Sequence, residues 1–188
     1  TVKWDILEMS KKMFDENNRY IDHPAYVGQM GRDEPNLQQL EMLSWQIKAY
    51  NKYVGQNGTQ GGEVFVNLWP CFVSDNSPSL SVNCDVTYRE YVDYYFENLA
   101  PHLGYVCWDF YPLRTFPGTE ENYVREMYYY NHELMAQKCK EGGYELRTFV
   151  QAVGDYTGIR NILDISDFRF QIYSGMAFGV REFNYYHY

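Results

Sequence analysis

Helix-periodic and strand-like segments alternate along this chain, and that alternation constrains its fold more than any other feature. Residues Val2 to Asn17 carry Trp4, Ile6, Leu7, Met9, Met13 and Phe14 at helical spacing among Lys, Asp and Glu. The apolar run YIDHPAYVGQM follows. A second amphipathic helix, NLQQLEMLSWQIKAYNKYV, then sets Leu37, Leu40, Leu43, Ile47, Tyr50 and Val54 along one face. After the glycine-rich breaker GQNGTQGGE comes a strand, EVFVNLWP, closed by Pro70. CFVSDNSPSLSVNCD reads as a polar loop. TYREYVDYYFENLA predicts a third helix, N-capped by Asp85 or Thr87, with Glu90 placed to complete a capping box on Thr87. The strand GYVCWDFYP again ends at a proline.

The second half repeats the pattern. EENYVREMYYYNHELMAQKCKEGG predicts a helix stopped by Gly142-Gly143, and YELRTFVQAVG a strand. GDYTGIRNILD reads as a loop, ISDFRFQIYSGMAFG as a helix capped by Ser166, and VREFNYYHY as the last strand. Strict alternation of this kind predicts a parallel sheet with helices packed outside it. Strands near 25–31, 63–69, 105–111, 146–152 and 181–187 are expected to be parallel neighbours in that order. An open doubly wound sheet and a closed β/α barrel both fit. No GxGxxG or GxxxxGK[ST] follows any strand, which removes the main signature of the nucleotide-binding open sheets. Polar or aromatic stretches follow strand after strand: DEPN, WPCFVSDNS, DFYPLRTF and QAVGDYTG. In a barrel such loops meet on one face and build the site, so the barrel is the preferred architecture.

Composition narrows the partners. Of 188 residues 19% are aromatic, with 20 Tyr, 11 Phe and 4 Trp, and such rings stack on sugars and bases as readily as they fill cores. A net charge of −9 argues against a nucleic-acid backbone, which needs clustered Lys and Arg. No apolar run is long enough to cross a membrane. Cys71, Cys84, Cys107 and Cys139 form no CxxC pattern and are expected as free thiols, although Cys71 and Cys84 flank one loop and are placed to pair in an oxidising compartment. The four histidines share no helix-face spacing, so no metal or cofactor is expected.

The carboxyl ends of the expected strands offer Asp33-Glu34, Asn67 to Trp69, Asp109 to Tyr111, Gln151 and the run from Asn184. Two carboxyl groups on separate strands, among rings and amides, are what glycoside cleavage requires. One protonates the leaving oxygen, and the other supports the oxocarbenium-like centre as nucleophile or as base for water. Each piece also has a plainer reading. Asp33-Glu34-Pro35 is a common turn, and Asp109 is near enough in sequence to pair with Arg114. Trp69, Trp108 and Tyr111 suit packing, and Gln151 and Asn67 suit buried backbone groups.

The chain resembles the C-terminal part of clan-A-type β/α-barrel glycoside hydrolases, with its nearest likeness to β-galactosidase-like glycosidases of gut Bacteroidetes. HPAYVGQMGRDEPN, EVFVNLWP, YREYVDYYFENLAPHLGYVCWDFYPL and FRFQIYSGMAFGVREFNYYHY carry the likeness in the expected order, over nearly the whole chain. The resemblance implies an α/β fold in which residues 1–188 are a single partial barrel segment, strands four to eight, cut at both ends. It implies Glu34 as general acid/base, with Asp33 orienting it or contacting a hydroxyl. The clan's nucleophilic Glu is replaced: the seventh strand reads TFVQAVG, and Gln151 is no carboxylate. Glu145 stands at the wrong end of that strand and Glu182 early in the last one. Asp109 is the remaining second carboxylate.

The expected function is therefore hydrolysis of a glycan by Glu34 and Asp109, with Asp33, Asn67, Trp69, Trp108, Tyr111, Gln151, Asn184 and Tyr186 contacting substrate. One alternative is a catalytically silent carbohydrate-binding barrel. The other is an assembly fragment whose strand edges pair with another chain. On any of these readings the expected partners are a carbohydrate and the rest of a barrel or a second chain. The resemblance favours a periplasmic or secreted location.

Overall fold

The structure is a computed structural model that describes residues 23–56, 62–73, 86–152 and 164–185. The helix expected over Val2 to Asn17, together with Cys84, Asp85 and Tyr186, lies outside these residues. Among them, no helix is long and apolar enough to cross a membrane. The chain divides into two compact units, Thr1–Val66 with Asn83–Leu103, and Asn67–Val82 with Gly104–Tyr188.

In the first unit, strand β1 (Gly28–Asp33) pairs with β2 (Glu63–Asn67). Gly28 lies against Glu63 and Gly31 against Val64 and Phe65, so numbers rise together and the strands run the same way. A Cβ on Gly31 would stand 2.6 Å from Val64 Cγ1, which explains glycine there. Helix α1 (Leu37–Gln56) buries Leu40, Leu43, Ile47 and Tyr50, the apolar face expected from the spacing. Its start is a reciprocal cap that the sequence reading missed. Gln39 N–H donates to Asn36 Oδ1 at 2.8 Å, and Asn36 N–H donates to Gln39 Oε1 at 3.0 Å. Helix α2 (Tyr88–Asn98) opens on the expected Thr87–Glu90 capping box and buries Tyr88, Tyr91, Val92, Tyr95 and Phe96. The expected single helix ends two residues early, at Asn98, and a short helix α3 (Ala100–Leu103) follows.

In the second unit, β3 (Tyr105–Asp109), β6 (Glu145–Val150) and β7 (Glu182–Tyr185) form a three-stranded sheet, parallel throughout. Leu68, just past β2, makes a parallel bridge to Trp108. Helix α4 (Met127–Gly142) precedes β6, and α5 (Ile165–Ala177) precedes β7. The α4 helix stops where expected, at Gly143, whose φ of 72° suits a residue without a Cβ. In β6, Leu146, Thr148 and Val150 are buried while Glu145, Arg147 and Phe149 are half-buried. That alternation separates a helix-covered face from a half-open one.

Two expectations are corrected. The helix read from Glu120 begins at Met127, because residues 122–124 form strand β5 (Asn122–Val124), antiparallel to β4 (Leu113–Thr115). Cross-strand pairing within this hairpin outweighs local helical preference there. The cap of α5 is Asp164 and not Ser166: the Asp164 carboxylate accepts the Ser166 N–H at 2.6 Å. The Ser166 hydroxyl and backbone N–H both bond to that carboxylate and hold its pKa below the usual value.

Candidate functional site

Glu34 follows the last residue of β1 and is the one described non-glycine residue with positive φ, at 45°. The left-handed region is rare for a residue with a Cβ, and a following proline disfavours helical backbone further. Such a conformation costs on the order of 1–3 kcal/mol and persists only where neighbours impose it. Here the neighbours are visible. Pro35 is buried, and its carbonyl accepts the Tyr91 hydroxyl at 2.8 Å. Asn36 is then locked as the cap of α1. Strand, proline clamp and helix cap fix the chain on either side of Glu34, which is half-buried, while Asp33 is exposed.

In the second unit, alternation puts Tyr105, Cys107 and Asp109 of β3 on one face. Register sets Glu145 beside Tyr105, then Arg147 and Glu182 at the level of Cys107, then Phe149 and Asn184 at the level of Asp109. The lower levels form an ion layer. Arg147 pairs with Glu145 at 3.1 Å and Glu182 at 3.4 Å, and its guanidinium lies 4.1 Å from the Tyr105 ring centre. Two carboxylates are thereby tied to one cation at the amino ends of the strands. Cys107 is fully buried, and burial together with the charges of Asp109 and Glu182 keeps its thiol well above the usual range, hence protonated. Asn184 Nδ2 stands 3.4 Å from Glu182 Oε1 and 3.9 Å from Cys107 Sγ. Asp109 ends β3 at the carboxyl end of the sheet. Asn67 Nδ2 donates to its Oδ1 at 3.3 Å.

The other expected residues divide. Trp69 and Tyr111 are half-buried in the loops after β2 and β3. Trp108 is fully buried on the opposite face, its ring 5.0 Å from that of His132 in α4, so it is a core ring and not one open to a ligand. Gln151 is also buried, and its amide is committed to backbone. Oε1 accepts Leu113 N–H at 3.1 Å and Nε2 donates to Leu113 O at 3.4 Å. Its own backbone is held by Gln171 in the same two-way fashion. This matches the plainer reading, satisfaction of buried backbone groups. Cys71, Cys107 and Cys139 are buried free thiols, and no cluster of metal-ligating residues occurs among the described residues.

Sequence reasoning missed the ion layer because its members lie far apart in the chain. A spacing signal existed only for Glu145 and Arg147, two residues apart on one strand. It also missed a cavity of about 560 Å³ lined by Gly104, Cys139, Lys140, Tyr144, Glu145 and Arg181. That cavity opens at the amino ends of the strands, opposite the end that carries Asp109.

With this geometry in view, similarity to known proteins adds the fold. A solved structure described as a "putative alpha-L-fucosidase" from Bacteroides thetaiotaomicron superposes with a TM-score of 0.60 at 10% identity. The match covers 97% of this chain and 51% of that one, so this chain spans about half its length. The shared architecture is α/β, a parallel sheet with helices, and the neighbour is by that description a glycoside hydrolase. The sequence matches no protein-family model and no curated protein.

Proposed function

We propose that this chain contributes five strands of a β/α barrel that hydrolyses glycosidic bonds, with Glu34 as general acid/base and Asp109 as the second carboxylate. One observation carries the reading: Glu34 is held in a strained left-handed conformation at a strand end, clamped by Tyr91 through Pro35. A plain surface turn has no need of a glutamate there, since Gly or Asn would adopt that backbone more cheaply. Backbone strain of this kind clusters at active sites, which supports a chemical role for Glu34.

The roles follow from position. Glu34 and Asp109 each stand at the carboxyl end of a strand, the end at which barrel loops build sites. Glu145 and Glu182 are at the other end and ion-paired with Arg147. Glu34 protonates the leaving oxygen. Asp109, oriented by Asn67, supports the developing positive charge directly or through water. Asp33, Trp69, Tyr111, Asn184 and Tyr186 are the proposed contacts to sugar. The finer relation to β-galactosidase-like enzymes, and strand numbers four to eight, belong to the same proposal. The substrate panel takes α-L-fucosides, after the solved neighbour's description as a "putative alpha-L-fucosidase", and β-galactosides, after the proposed relation.

The test is Glu34→Gln in the full-length protein, assayed on an aryl glycoside and on the matching natural glycan. A general acid matters most when the leaving group is poor, so turnover of the natural glycan should fall about 10²–10⁴-fold and that of the aryl glycoside far less. Equal small losses would make Glu34 a positioning residue only. In an experimental structure, a Glu34–Asp109 carboxyl separation of about 5–5.5 Å would predict retention, and about 6.5–9.5 Å inversion. A silent carbohydrate-binding barrel is favoured by one observation, Gln151 engaged with Leu113 where a nucleophilic glutamate is expected. Glycan binding without turnover of any panel substrate would establish it.

A further inference from the structure

The β4–β5 hairpin presents two different sides. Its register pairs Leu113 with Val124, Arg114 with Tyr123 and Thr115 with Asn122. Alternation sends Leu113, Thr115, Asn122 and Val124 to one side, and Arg114, Phe116, Glu121 and Tyr123 to the other. The first side is anchored. Leu113 is buried and its backbone is held by Gln151. Thr115 Oγ1 donates to Asn122 Oδ1, and Asn122 Nδ2 donates to Asp167 Oδ2, both at 2.9 Å. The tip is closed by Phe116 N–H to Glu121 O and Thr119 N–H to Phe116 O, with Gly118 supplying a φ of 77°.

The second side faces solvent. Phe116 is 45% exposed and Tyr123 41% exposed, with ring centres 4.6 Å apart and planes inclined by 36°. The anchoring of the hairpin does not depend on them. A cross-strand ring pair does add about 0.2–1 kcal/mol to a hairpin, and that is the role to be distinguished experimentally.

We propose that Phe116 and Tyr123 form a carbohydrate platform, on which the apolar face of a pyranose stacks while Arg114 and Glu121 meet its hydroxyls. This deepens the proposed function and rests on its glycan-active reading. It adds a binding position outside the point of cleavage. Aromatic faces are electron-rich and attract the polarised C–H bonds on one side of a sugar ring. A border of one cation and one carboxylate suits a neutral polyol, and a chain of net charge −9 disfavours a polyphosphate. The hairpin also starts four residues after Asp109, at the carboxyl end of the strand that bears it.

The experiment is affinity electrophoresis of the full-length protein through gels containing xyloglucan, galactomannan, arabinogalactan or fucosylated mucin glycans. Thermal unfolding and aryl-glycoside turnover are measured in parallel. At least one polysaccharide should retard the wild type. Phe116→Ala/Tyr123→Ala should weaken that retention about tenfold, the scale of one lost stacking contact. Phe116→Leu/Tyr123→Leu keeps apolar area but not flat rings. It should weaken retention equally with the melting temperature nearly unchanged, and it decides the question if the Ala variant does not fold. Equal retention of wild type and the Leu variant, or no retardation of the wild type, overturns the platform. Turnover reads the cleavage site separately. Ring-dependent retention without turnover supports the platform and removes the hydrolase reading. Turnover with ring-independent retention does the reverse.

Discussion

Asn67 Nδ2 donates to Asp109 Oδ1 across 3.3 Å, and both side chains are almost wholly buried. A donor of this kind fixes the orientation of the Asp109 carboxyl. Asn67→Leu should therefore lower stability by about 1–3 kcal/mol, the scale of one hydrogen bond to a buried carboxyl, and lower kcat/KM by loosening Asp109. The measurements are kcat/KM and a urea midpoint. An unchanged kcat/KM would leave Asn67 a structural contact only.

Glu34 exchanges stability for position. Replacing it by glycine removes the left-handed strain, offset in part by the entropy glycine adds to the unfolded chain. Glu34→Gly should then be as stable as the wild type or more so, by about 1 kcal/mol, while glycoside hydrolysis is lost. Denaturant unfolding and turnover of the same preparation check it. A large destabilisation would mean that the carboxylate, and not the backbone, holds this turn together.

Gln151 joins the carboxyl end of β6 to the start of the hairpin through both atoms of its amide. Gln151→Leu leaves the N–H and C=O of Leu113 without this partner inside the protein. The expected loss is about 2–3 kcal/mol in stability, with faster hydrogen exchange over residues 113–124. If stability held and only KM rose, the amide would belong to the substrate.

His132 gives the chain an acid-sensitive core. Burial lowers its pKa to about 4 from 6.5, while the Nδ1–H donated to Tyr128 O opposes that shift in part. Between these two values the unfolded chain takes up a proton that the folded chain refuses. Stability is thus full above pH 6.5 and declines as pH falls toward 4, by roughly 3 kcal/mol at most. Urea midpoints at pH 7.5 and pH 5 should differ, and His132→Leu should shrink the difference. A wild-type midpoint that stays level across this range would contradict it.

The sequence by itself determined what is local. Apolar spacing placed Leu40, Leu43, Ile47 and Tyr50 on one helix face, Thr87 and Glu90 announced a cap, Gly143 a stop, and alternation with helices a parallel sheet. Each of these signals lies within a few residues, where backbone sterics and helical or strand period act. Even the missed Asn36–Gln39 cap was legible at that range. Tertiary structure decided the rest. Asn122 to Val124 became a strand because Leu113 to Thr115 lies beside them. Trp108 turned inward because its place on β3 faces α4. Glu145, Arg147 and Glu182 became an ion layer only once register brought β6 and β7 together. Contacts between residues far apart in the chain form only when a fold closes the loop between them, and no local pattern records which of the many possible loops will close.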